Sequence, residues 1–129
     1  MDAGRLAGVA IFSDLTKAEL ERVSRWTDEV SVPEGYELAR EGQFAHEFFI
    51  IEDGAAAVIS NGDRIAELGA GDFFGEIGLL RDVLRTATVT ATAATELLVV
   101  DRTDFLDAVS LMGEARSGLE AVLVHRLYA

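Results

Sequence analysis

Apolar positions change their spacing twice along this chain, and each change marks a boundary. Leu20, Val23 and Trp26 recur at helical spacing within LTKAELERVSRW. Thr16 and Glu19 stand ahead of them with the spacing of a capping box, and Leu15 and Leu20 are placed to close a hydrophobic staple. The spacing predicts an N-terminal helix with Trp26 as a core anchor. After Trp26 the chain breaks into short runs such as EFFIIE, AAAVIS and RIAEL. Between them fall Gly35, Gly42, Asp53-Gly54, Asn61-Gly62, Gly69 and Gly71-Asp72. That punctuation predicts many short strands joined by tight turns. Asn61-Gly62 is the strongest hairpin signal, because both central residues of a type I′ turn need positive φ.

Thr86 to Ala94 alternates, with Thr88, Thr90 and Thr92 on one face and Val89, Ala91 and Ala93 on the other. LLVV, within Glu96 to Asp101, reads as a buried strand. The total of about eight strands fits a mainly β fold, an eight-stranded jelly roll or similar double-sheet barrel with flanking helices. The pattern then returns to helix. Asp101 is placed to cap a helix carrying Phe105, Leu106 and Val109 on one face. Gly113 breaks it, and Ala115, Leu119, Val122, Leu123 and Leu127 form the apolar stripe of a last helix.

Composition narrows the chemistry. The 129 residues suggest one domain, large enough for a core without disulfides or metal staples. The absence of cysteine excludes thiol chemistry and zinc–thiolate sites. A formal net charge of −12 repels nucleic acids and anionic membranes at long range, so an anionic ligand requires a strong local site. The apolar run LAGVAIF is too short for a membrane span and poor as a signal peptide. A cytoplasmic location is expected, with neither nucleic acid nor membrane as a partner.

The stretch FGEIGLLRDVLRTATV, residues 74–89, concentrates the candidate chemistry. Gly75 permits close approach of the backbone to another group. EIGLL can form one helical turn whose free amides point at an anion. Arg85 adds a charged fork suited to phosphate oxygens. Glu76 would repel phosphate but suits a hydroxyl donor such as a sugar 2′-OH. The loop therefore reads as a receptor for a phosphate joined to a ribose. The plainer reading is a glycine turn beside a surface Glu–Arg pair.

GEIGLL followed by RTATV closely resembles the phosphate-binding cassette of cyclic nucleotide-binding domains. SDLTKAEL, EGQFAHEFFIIEDG, GAGDFFGE and LLVVDRTDF resemble the same family in the same order, so the likeness covers roughly residues 6–125. It implies a single domain over 1–129: an N-terminal helical segment at 1–27, a β-roll at 28–101 with the cassette at 74–89, and C-terminal hinge and lid helices at 102–129. It also implies roles. Glu76 accepts from the ribose 2′-OH, and Arg85 pairs with the cyclic phosphate. Gly75, Ile77 and Gly78 offer backbone contacts, and Thr86 reaches the ligand through its amide or hydroxyl. Leu79 and Leu80 become a moving apolar face against Phe105 and Val109, with Leu123, Leu127 or Tyr128 as a lid over the base. Leu84 stands where the family commonly has proline, which leaves the loop less pre-ordered.

The implied ligand is cyclic AMP, with cyclic GMP as the alternative because threonine after the arginine can serve guanine. The implied activity is regulatory rather than catalytic, with an unidentified effector protein downstream and a weak homodimer left open. A jelly-roll module that no longer binds nucleotide is the competing expectation. A metal enzyme of cupin type would need clustered histidines, whereas His46 and His125 lie far apart in sequence. Neither a catalytic dyad nor a P-loop lysine pattern is evident.

Overall fold

Helix α1, Lys17–Arg25, starts where both halves of the capping box are present. The Thr16 amide donates to Glu19 Oε1 at 2.8 Å, and the Glu19 amide donates to Thr16 Oγ1 at 3.2 Å. Two amides that a helix start leaves without partners are thereby satisfied. Leu15 and Leu20 are both buried around this cap, as a staple requires. The computed structural model describes residues 15–75, 79 and 83–111.

Trp26 departs from the expectation of a core anchor. It is half-buried at the helix C-cap, with the Arg22 guanidinium 5.8 Å from its ring centroid. The helix ends there, and the chain turns into a strand. Thr27 takes the buried position instead, its hydroxyl donating to the Val23 carbonyl at 2.8 Å.

Eight strands follow: β1 Thr27–Val32, β2 Glu37–Ala39, β3 Glu47–Asp53, β4 Ala55–Ser60, β5 Asp63–Gly69, β6 Phe73–Phe74, β7 Thr88–Ala91 and β8 Thr95–Asp101. Helix α2, Arg102–Leu111, comes last. The strands form two four-stranded antiparallel sheets, ordered β1-β8-β3-β6 and β2-β7-β4-β5. This is the double-sheet, jelly-roll architecture expected from the strand count. The β4–β5 hairpin turns on Asn61 and Gly62 at φ 53° and 83°, the paired left-handed conformations of a type I′ turn.

The two apolar runs of the sequence explain how the layers stack. β3 and β8 pair with Phe49 opposite Val99 and Ile51 opposite Leu97, and these four side chains enter the core between the sheets. Their neighbours Phe48, Ile50, Leu98 and Val100 are also buried. On that outer side α2 packs on β3 and β8, and Phe105 stacks on Phe48 with centroids 4.5 Å apart. A sheet covered on both faces needs apolar residues at consecutive positions, hence FFII and LLVV. β5, with one face solvated, is mostly exposed, with Leu68 buried near its end.

Two further expectations are corrected. β7 ends at Ala91, so Thr86, Thr92 and Ala93 lie outside the alternating strand. The chain leaves one sheet for the other after Ala91. The Thr92 amide bonds the Ala55 carbonyl at 2.9 Å, and buried Thr95 sets its hydroxyl 2.9 Å from the Ala93 carbonyl. Leu106 is 36% exposed rather than sharing the buried face of Phe105. Consecutive helical residues point about 100° apart, so Phe105 reaches the sheet and Leu106 does not. The side chain of Val109, together with Leu80, Gly113 and the last helix, lies outside the described residues.

Candidate functional site

The loop of interest begins where β6 runs alongside β3. Phe74 is paired with Phe49, and their rings stack with centroids 4.7 Å apart at 13°. The turn before β6 is tied to the same strand. The Gly71 amide donates to the Ile51 carbonyl and the Ile51 amide to the Asp72 carbonyl, each at 2.8 Å. Asp72 Oδ2 closes the turn by accepting from the Gly69 amide at 2.8 Å. Gly75 is therefore delivered to a set place at the end of β6.

Gly75 has φ +95°, a conformation that side chains strongly disfavour. A Cβ here would stand 2.8 Å from Arg85 Nη1 and 2.9 Å from the Glu47 carbonyl oxygen. Both backbone conformation and space demand glycine. The close approach anticipated for this position is made to the protein's own arginine and strand.

Arg85 is held at every level. Its amide donates to the Gln43 carbonyl at 2.8 Å, and its carbonyl accepts from the Gly42 amide at 2.9 Å. Its guanidinium donates from Nη1 to the Gly75 carbonyl at 2.9 Å and from Nη2 to the Glu47 carbonyl at 2.6 Å. The guanidinium carbon lies 5.9 Å from the centroid of the Phe49 ring. The residue is only 6% exposed. Burying a cation is costly unless hydrogen bonds replace its water, and these carbonyls do so. Gly75 and Arg85, ten residues apart, thus meet directly.

Thr86 is exposed, and its carbonyl accepts from Ser60 Oγ at 3.2 Å. Ala87 and Leu79 are buried, while Val83 and Leu84 are 45% and 46% exposed. Leucine in the usual proline position therefore packs on little. Glu76, Ile77 and Gly78, and the lid candidates Leu123, Leu127 and Tyr128, lie outside the described residues, as does His125. Arg85 also lines a cleft of about 180 Å³ with Arg40, Gln43, Phe44, His46 and Glu47. Neither Gly75 nor Thr86 lines that cleft, so it adjoins the loop from the β2–β3 side. Among the described residues no group of three or more His, Asp or Glu side chains could hold a metal ion, and no helix is long and apolar enough to cross a membrane.

Sequence reasoning did not identify Gly42, Gln43, Glu47 and Phe49 as parts of this site. Three of them contribute backbone atoms, which no side-chain pattern announces. Phe49 was legible only as part of the short apolar run EFFIIE. EGQFAHEFFIIEDG did carry a family likeness, but no role for its residues.

The model of the cyclic nucleotide-binding domain family matches residues 29–111. The cAMP-dependent protein kinase regulatory subunit of Schizosaccharomyces pombe is 31% identical over 123 residues, covering 89% of this chain and 30% of that protein. The cGMP-dependent protein kinase of Eimeria tenella is 35% identical over 100 residues, covering 77% of this chain and 10% of the kinase. The chain spans less than a third of the length of these curated relatives. A solved structure described as "Sp-2Cl-cAMPS bound to PKAR CBD2" superposes with a TM-score of 0.82 at 28% identity, covering 95% of this chain and 82% of that one.

Proposed function

This chain belongs to the cyclic nucleotide-binding domain family, and from that premise we propose that it binds a cyclic nucleotide, cyclic AMP in preference to cyclic GMP, as a regulatory sensor. The observation that carries the reading is the buried Arg85 guanidinium bonded to the Gly75 carbonyl. Two of its hydrogen bonds run to neutral carbonyls. An anionic phosphate oxygen is a stronger acceptor, so the cyclic phosphate adds to or displaces these bonds. Against a formal charge of −12, a buried arginine is the kind of local site an anionic ligand needs.

Residues 1–129 act as one binding unit. Glu76 accepts from the ribose 2′-OH. Gly75, Ile77 and Gly78 approach the sugar and phosphate with their backbone, and the exposed Thr86 contributes beside Arg85. Leu123, Leu127 or Tyr128 covers the base. The unit binds without catalysing a reaction, in the cytoplasm. Its output passes through the C-terminal helices to a partner protein, a role suggested by the regulatory-subunit relative.

Calorimetric titration with cyclic AMP and with cyclic GMP tests this. One-to-one binding is expected, tighter for cyclic AMP. Tighter binding of cyclic GMP overturns the base preference. Lack of heat and of competition with either nucleotide leaves a jelly-roll interaction module instead.

A further inference from the structure

The Arg85 guanidinium lies over the ring of Phe49, 5.9 Å from carbon to centroid, just inside the ~6 Å reach of a cation–π contact. Phe49 is itself locked. It is 4% exposed, central in β3, opposite Val99 on one side and Phe74 on the other, with its ring stacked on Phe74. The same ring sets its Cδ2 atom 3.5 Å from where a Cβ on Gly75 would stand. One aromatic ring therefore borders both Arg85 and Gly75.

We infer that Phe49 is a positioning residue for Arg85: its ring helps hold the guanidinium at the place from which it meets an anionic ligand. This rests on the reading of Arg85 as the phosphate-pairing group. Carbonyl bonds to Gly75 and Glu47 fix two guanidinium nitrogens. The Phe49 ring adds a third contact from another direction, and its negative quadrupole favours a cation over its face. An aliphatic residue at position 49 would fill the core but supply no such face. The two-sided burial of β3 accounts for an apolar residue at position 49; stacking on Phe74 and the nearby arginine both favour an aromatic one.

The test replaces Phe49 by phenylalanine analogues carrying increasing numbers of fluorine atoms. Shape and burial are nearly kept while the quadrupole is progressively cancelled. Affinity for cyclic AMP is read by calorimetry and fold stability by thermal unfolding. The expected result is a graded loss reaching about tenfold, the scale of a desolvated cation–π contact, with unfolding temperature unchanged or raised. Phe49→Tyr, which keeps the aromatic face, should bind as the unmodified protein does wherever its unfolding temperature is unchanged. A second readout needs no ligand. The Arg85 side-chain NH resonances should be shifted upfield by the ring, and Phe49→Leu should remove the shift. Affinity that stays flat across the fluorinated series, in a protein that binds cyclic AMP, overturns the positioning role alone. Failure of the unmodified protein to bind any cyclic nucleotide overturns the ligand reading and this role with it. Absence of the upfield shift in the unmodified protein overturns the role whatever the affinities.

Discussion

The carbonyl oxygen of Gly75 accepts a hydrogen bond from Arg85 Nη1 at 2.9 Å, closing the loop between them on itself. The glycine supplies the positive φ that aims the carbonyl, and its missing Cβ leaves room for the guanidinium. The two residues form one device, and substitutions at either should perturb the other.

Arg85→Ala should nearly abolish cyclic nucleotide binding. Removing one member of a buried charge-assisted pair costs roughly 2–5 kcal/mol, about one and a half to four decades of affinity. It also deprives the Gly75 and Glu47 carbonyls of a donor. Unfolding should therefore move by the ~1–3 kcal/mol of an unsatisfied buried group, without loss of cooperativity. Calorimetry and denaturant titration measure the two effects, and unchanged affinity would remove Arg85 from the site.

Gly75→Ala tests the same device from the other end. The added methyl meets Arg85 Nη1 and the Glu47 carbonyl at under 3 Å, and φ +95° is strained for alanine. Strain of this kind costs on the order of 1–3 kcal/mol. Binding should weaken together with stability, because relief requires the arginine to move. A variant that loses stability but keeps full affinity would show that Gly75 serves the turn alone.

Glu76→Gln should weaken binding and blunt discrimination against the 2′-deoxy ligand, since a neutral amide accepts a weaker bond than a carboxylate. Competition with 2′-deoxy cyclic AMP reads this. Equal binding of the two ligands by the unmodified protein would give Glu76 another role.

Amide exchange across residues 102–129 should slow on addition of cyclic AMP. The start of α2 is tied to the β2–β3 loop, where the Arg102 amide donates to the His46 carbonyl at 2.8 Å, and that loop also holds the Arg85 backbone. Burial of one leucine-sized side chain by a closing helix is worth about 1.5–3 kcal/mol. Protection should rise roughly ten- to a hundredfold. Equal protection with and without ligand would mean a static binding domain.

Features set by local chemistry were determined by the sequence alone. The capping box of α1 involves residues three apart. The β4–β5 turn needs only an asparagine and a glycine tolerant of positive φ. The double-sheet class followed from the punctuation of short strands, and the candidate loop from its own sixteen-residue pattern. What joins distant parts of the chain was decided by tertiary structure. Trp26 and Leu106 are apolar and helical in pattern, yet Thr27 and Phe105 take the buried places, because only the packed sheet determines which side chain reaches it. β2 and β6 have three and two residues, too short to carry a period, and exist through their partners β7 and β3. The seat of Arg85 joins Gly42, Gln43, Glu47, Phe49 and Gly75 across up to 43 positions of sequence. Gly75 was legible through its glycine, but Gly42, Gln43 and Glu47 act through backbone atoms that every residue type shares. Residue identity cannot announce such a role; it arises only when the sheets bring those atoms within bonding distance of one side chain.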